Sequence, residues 1–238
     1  SATELTGGAG ADPMIGGTGH HTYIIDNVGD VVVENADEGW DHVHSTISYT
    51  LQADMEGVEL LGTANIDAIG NAADNLLDGN SGNNLLDGGA GEDDMWGRGG
   101  NDTYIVDSEY DQVHESSNQG SDTVRSTVSW ALGSNVENLV LLGTAAINGT
   151  GNSLANALTG NSASNDLNGG GGADTMSGGA GDDTYTVNVA GDQVLENAGE
   201  GIDLVKSSVT FTLGAAVENL TLTGSAAVDG YGNALDNV

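Results

Sequence analysis

Four hexapeptides in this chain place glycine at positions 1, 2 and 4 and aspartate at position 6: GGAGAD at 7–12, GGAGED at 88–93, GGGGAD at 169–174 and GGAGDD at 178–183. A turn of that composition can bring several carbonyl oxygens and one carboxylate onto a single point. Six to eight oxygens at about 2.3–2.6 Å, without nitrogen or sulfur, suit a hard divalent cation of the calcium kind. The chain has no cysteine, which removes thiolate metal sites and disulfides. Thirty-six acids against three bases (Arg98, Arg125 and Lys206) give a formal charge of −33. A compact body with that charge repels itself until cations neutralise it. A nucleic-acid partner is excluded, because that contact needs a basic face.

The elements that must carry these turns are short. In the middle of the chain, nonapeptides start at Gly70, Gly79, Gly88 and Gly97, and a second run starts at Gly151, Gly160, Gly169 and Gly178. Two more occupy Gly7 to Ile15 and Gly16 onward. The eighth place is always large and apolar: Met14, Tyr23, Leu77, Leu86, Met95, Tyr104, Leu158, Leu167, Met176 and Tyr185. The first six places are turn residues, so a short strand alternates with a turn. Such a strand survives only when stacked on its copies in parallel ladders, with the eighth residue pointing inward.

A longer period contains the short one. Thr22-Tyr23 recurs as Thr103-Tyr104 and Thr184-Tyr185, with one fixed step (103 − 22 = 184 − 103 = 81). Asp30/Asp111/Asp192, Glu34/Glu115/Glu196 and Asp41/Asp122/Asp203 keep the same step. A fixed long period means a solenoid. We expect one continuous solenoid of about three repeats, at 1–69, 70–150 and 151–238, that is a fragment of a longer protein. Solenoid ends expose ladder edges, so end-to-end stacking of copies is expected. Near-copies also argue against a single irregular catalytic constellation, and GxSxG, HExxH and P-loop patterns are missing from this sequence. The expectation is a non-enzyme.

The second half of each repeat is more conventional. Val124, Ser126, Val128, Trp130 and Leu132 alternate with polar or small residues, which predicts one strand with one buried face. Val136 to Leu142, apolar but for Glu137 and Asn138, is read as a strand covered on both sides. Asp107-Ser108 and Asn118-Gln119-Gly120 are turns, and no amphipathic helix is evident. No membrane-spanning run is visible.

The glycine hexapeptides resemble the GGxGxDxUx signature of RTX repeat proteins, and the DTYIVD…DQVHE…DTV…VENLVLLG segment resembles the extender interleaved with such repeats in very large secreted bacterial proteins. The resemblance implies an all-β fold, a right-handed parallel β-roll or β-helix solenoid, with Ca2+ in the turns. It implies calcium carboxylates at Asp12, Asp93, Asp174 and Asp183, and carbonyl ligands at Gly7, Ala9, Gly88, Ala90, Gly169, Gly171, Gly178 and Ala180. GRGGND at 97–102 departs by Arg98 but keeps Gly97, Gly99 and Asp102, while Asp26 and Asp107 fall in a second tier of ligands. The resemblance further implies type I secretion from a Gram-negative bacterium with an uncleaved C-terminal signal. It points to a role in an adhesin, surface-layer or matrix protein. Expected partners are calcium ions, further copies of the chain, or matrix or cell-surface polysaccharide.

The departures from the pattern carry predictions. Asn75, Asn84, Asn156 and Asn165 hold position 6 in the outer nonapeptides, where an amide oxygen brings no charge. These turns are expected to hold calcium weakly or not at all, or to stack as a hydrogen-bonded Asn ladder. His21 stands where an aspartate belongs, so that site is weakened or lost. About one or two calcium ions per repeat are expected. Glu34, Asp41 and their copies fit either a second calcium site in the extender or turn-capping hydrogen bonds.

His42 and His44 lie on one face of a predicted strand, but the other copies carry Thr123/Arg125 and Leu204/Lys206 there, and the default is surface histidine. Trp40, Trp96 and Trp130 do not align with one another and form no sugar-stacking row. An RTX module attached to a secreted protease, lipase or alginate epimerase is the first rival. An ice-binding β-roll is the second, suggested by GTGN at 149–152. The other copies read AIGN and GYGN, so the regular row such a face needs is missing.

Overall fold

The computed structural model describes residues 3–35 and 39–238. It is all-β: the described residues form 26 strands and no helix, and so no helix long and apolar enough to cross a membrane. Every ladder is parallel, and the chain divides into two compact units, one ending at Asp122 and one starting at Thr123.

The nonapeptides behave as their spacing requires. In Leu76–Asp78, Leu85–Asp87 and Asp94–Trp96 only the middle residue is buried. Each strand pairs with the next but one, as in Leu76↔Asp94 and Leu85↔Thr103, because two nonapeptides make one coil with two sides. Stacking puts the eighth places in register. In the first unit Tyr23, Val43, Val58, Leu77 and Met95 form one continuous buried column, and Ala68, Leu86 and Tyr104 form another. In the second unit Val124, Leu139, Leu158 and Met176 form one, and Leu167, Tyr185 and Val205 another. All ten eighth-place residues are buried. Each contributes roughly 1.5–3 kcal/mol of apolar burial, but only once its neighbours are stacked.

The extender uses coils of unequal length. From Thr22 the ladder steps to His42, Gly57, Leu76, Asp94 and Gln112. Those five coils carry the chain from Thr22 past its copy Thr103 to Gln112, which is one long repeat plus one nonapeptide. One repeat therefore makes four and a half coils, and register is not restored between repeats. In the first unit His21–Ile25 lies in one sheet and its copy Thr103–Val106 in the other. In the second unit Thr123–Ser126 and its copy Leu204–Ser207 are likewise on opposite sheets.

Two strand expectations are corrected. The alternating run from Val124 to Leu132 is two strands, Thr123–Ser126 and Trp130–Ala131, in different sheets. The chain turns between them because the buried Ser126 hydroxyl donates to the Val128 carbonyl (2.8 Å) and accepts the Val128 N–H (3.1 Å). Ser45 with Ile47 and Ser207 with Val209 make the same corner. A buried hydroxyl must be satisfied, and here doing so bends the backbone. The segment from Val136 to Leu142 forms the strand Asn138–Leu141, in which Leu139 and Leu141 are buried and Asn138 and Val140 are half-exposed on the opposite face. Val136 is buried just before the strand.

Candidate metal centre

Position-6 residues stack into columns held by their own side chains. Asp93 Oδ1 accepts the backbone N–H of Asn75 (2.8 Å), and Asp111 Oδ1 accepts that of Asp93 (3.1 Å). On the other side Asp102 Oδ1 accepts from Asn84 (2.7 Å), and Asp122 Oδ1 from Asp102 (2.8 Å). The second unit repeats this with Asp174 and Asn156 (2.8 Å), Asp192 and Asp174 (3.1 Å), Asp183 and Asn165 (2.6 Å), and Asp203 and Asp183 (2.9 Å).

Asparagine and aspartate then part ways. Asn75 accepts the N–H of Asn71 (2.7 Å) and donates Nδ2 to the Met55 carbonyl (3.1 Å). Asn84 accepts from Asn80 (2.9 Å) and donates to Ile66 (2.6 Å); Asn156 and Asn165 do the same in the second unit. An Asn turn is complete by itself. Aspartate has no N–H to give, and Oδ2 of Asp93, Asp102, Asp174 and Asp183 is buried without a hydrogen-bond partner. Each Oδ2 lies against the first glycine of its own turn, where a Cβ on Gly88, Gly97, Gly169 or Gly178 would run into it. The second and fourth glycines are needed for backbone conformation: Gly89 and Gly91 have φ of 82° and 144°, and Gly170 and Gly172 have 82° and 108°.

These carboxyls are electrostatically strained. Burial pushes Asp93 and Asp102 up to about 7 and Asp183 to about 6, and also raises Asp174. A backbone N–H opposes the rise in each case, and neighbouring carboxylates add to it. Buried like charges do not ionise together without a counter-ion.

The structure also gathers residues that are far apart in sequence. Asp102, Glu115 and Asp122 each place a carboxylate oxygen within 4.8 Å of the others, and so do Asp183, Glu196 and Asp203. The Tyr104 hydroxyl donates to Glu115 and the Tyr185 hydroxyl to Glu196, which fixes each glutamate over the cluster. Glu196 Oε2 and Asp203 Oδ2 have no partner. Burial, then the charge of Asp203, pushes Glu196 up to about 7, and burial raises Asp203. One oxygen of Asp203 caps the backbone of Asp183, and the other faces the cluster.

In the first repeat the same place is occupied by His21, Glu34 and Asp41. His21 donates its backbone N–H to Asp41 Oδ1 (2.7 Å), and its Nδ1 lies 3.0 Å from Asp41 Oδ1 and 3.3 Å from Glu34 Oε1. An imidazole sits where the other repeats have a carboxylate.

The remaining expected ligands are more open. Asp12 is half-buried in a turn whose Gly7 and Ala9 are exposed, and its N–H donates to Asp30 Oδ1 (3.2 Å). Ala90 and Ala180 are exposed, while Gly99 and Gly171 are half-buried. Asp26 and Asp107 have exposed side chains and give their N–H groups to Asp30 Oδ2 (3.3 Å) and Asp111 Oδ2 (3.2 Å). Burial, with the charges of Asp111 and Asp87, raises Asp107. Two roles were missed from sequence: the tyrosine hydroxyls, which resembled plain core residues, and Asp30, Asp111 and Asp192 as turn caps. Recurrence of both in every long repeat was the available signal.

Glycine turns on a parallel coil, with a buried unpartnered carboxylate oxygen at Asp93, Asp102, Asp174 and Asp183, define a calcium-binding β-roll. The chain carries the repeats of the RTX calcium-binding nonapeptide family, whose model matches residues 4–20, 69–104 and 150–185 in four copies. A comparison with curated proteins found no match.

Proposed function

We propose that the chain is a structural RTX module that folds when calcium fills its turns outside the cell, and that it serves as a stalk or repeat region of a secreted adhesin, surface or matrix protein. The observation that carries this is the contrast within the columns. Each Asn turn satisfies its own hydrogen bonds, whereas Asp93, Asp102, Asp174 and Asp183 each keep one buried oxygen without a partner. A chain of charge −33 with such oxygens needs cations to be stable.

The ligands we propose are these four carboxylates and Asp12, with the carbonyls of Gly7, Ala9, Gly88, Ala90, Gly97, Gly99, Gly169, Gly171, Gly178 and Ala180, and Asp26 and Asp107 behind them. Glu115 and Asp122, and Glu196 and Asp203, extend the sets at Asp102 and Asp183. Extracellular calcium sites fill at about 0.1–1 mM, so the chain stays loose inside the cell and folds on export by linkage. This fits the extracellular setting typical of the family. The long repeats then act as one calcium-stiffened array.

The test is circular dichroism during a calcium titration, with magnesium as control. A cooperative coil-to-β change with calcium alone is expected. A chain equally folded in chelator would refute calcium-driven folding.

A further inference from the structure

We propose that His42, His44 and Glu59 form a transition-metal site of the zinc class, separate from the calcium turns and confined to the first repeat. His42 and His44 are two apart on the strand His42–Ser45 and so share one face. Glu59 lies on the strand Gly57–Leu60, directly opposite His44. One ligand atom from each of the three lies within 4.8 Å of the others, and His44 Nε2 is 3.2 Å from Glu59 Oε2. A tetrahedral ion with bonds of about 2 Å holds its ligand atoms roughly 3.3 Å apart, so little movement is needed to admit one.

The site is prepared for a ligand in other ways. Nδ1 of His42 is buried with no hydrogen-bond partner. The residue opposite His42 is Gly57, and a Cβ there would collide with His42 Nδ1. Trp40 stacks on the His42 ring, with centroids 5.5 Å apart and an interplanar angle of 20°, which limits its rotation. His44 and Glu59 are part-exposed, leaving a route in from solvent and room for a water as fourth ligand.

Donor chemistry sets this site apart from the others. Two imidazoles and one carboxylate select zinc-like ions, whereas calcium takes oxygen only. The chain supplies its own comparison. The matching positions are Thr123, Arg125 and Val140 in the second repeat, and Leu204, Lys206 and Thr221 in the third. Three positions on two strands become metal-ligand types together in one repeat alone, and there they are in contact.

The experiment is calorimetric titration of Zn2+ into the full chain held in saturating calcium, followed by Co2+ absorption spectroscopy. One Zn2+ per chain is expected, with Co2+ bands of a four-coordinate nitrogen and oxygen site that Zn2+ bleaches. The variant His42→Thr/His44→Arg/Glu59→Val carries the second repeat's residues, which the same coil already accommodates. It should weaken Zn2+ binding by at least about tenfold. Glu59→Val alone gives the same reading if the triple variant does not fold. Zn2+ binding that is unchanged in these variants, or lost instead in His21→Asp, would overturn the assignment.

Discussion

Asp102 Oδ1 accepts the backbone N–H of Asn84 one coil back at 2.7 Å, while Oδ2 of the same carboxylate is buried with no partner. One side chain therefore does two things. Its first oxygen fixes the stacking of coils, and its second is left for a cation. Asp183 stands in the same relation to Asn165. The proposed calcium-driven folding would act through this pairing of roles in single carboxyl groups.

This coupling gives a pH dependence with a definite sign. The folded, calcium-free carboxyls of Asp93, Asp102 and Glu196 are raised to about 7, and that of Asp183 to about 6, from 3.8 for aspartate and 4.5 for glutamate. A raised folded value means the folded state binds protons more tightly than the unfolded state. That contribution is full below about 4 and is lost as pH rises through about 6 to 7. In chelator, acid should shift the chain toward the folded form, with more β structure by circular dichroism at pH 5 than at pH 8. Calcium should release protons on binding at pH 6 to 7, which calorimetry in two buffers of different ionisation enthalpy measures. A β content in chelator that rises with pH contradicts this account.

Asp93→Asn with Asp174→Asn should convert two calcium turns into self-satisfied ones of the Asn75 and Asn156 kind. We expect fewer bound calcium ions by atomic absorption and greater resistance to chelator. Asn75→Asp should do the reverse, because it adds a buried charge and removes the Nδ2 donor to Met55. The cost of an unsatisfied buried group is about 1–3 kcal/mol.

His21→Asp should restore in the first repeat the carboxylate cluster found at Asp102 and Asp183. The calcium count should rise by about one per chain. The calcium-free folded form should be less favourable still, because Glu34 and Asp41 lose the imidazole beside them. An unchanged count would mean that Glu34 and Asp41 only cap turns.

Tyr104→Phe removes the hydroxyl that donates to Glu115 without changing the buried ring. The loss should be about 1–3 kcal/mol in denaturant unfolding with calcium present. Calcium affinity at the Asp102 cluster should weaken, since Glu115 is no longer held in place. A calcium isotherm identical to that of the parent chain would limit the tyrosine to packing.

Much of the fold was legible because its signals are local. The apolar eighth place, from Met14 to Tyr185, predicted the core columns of the nonapeptide coils. Glycines at places 2 and 4 marked the turns, since positive φ depends on the residue itself. The regular coil follows from two nonapeptides. The carboxylate at position 6 could be read as a hard-cation ligand from its type and spacing alone.

What only the tertiary structure decided lies in the extender. Its coils advance by unequal steps, from Thr22 to His42, then to Gly57, then to Leu76, and no period in the sequence encodes those lengths. They bring Glu115 and Asp122 to Asp102, set Glu59 opposite His44, and leave each repeat half a coil out of phase with the next. Corners such as Ser126 interrupt a run that alternates perfectly well as a strand. Spacing fixes neighbours along a coil, whereas contacts between coils depend on where the chain turns. Buried serine hydroxyls make the corners through backbone groups two residues on, whereas buried carboxyls reach backbone N–H groups 18 or 20 residues away in a neighbouring coil.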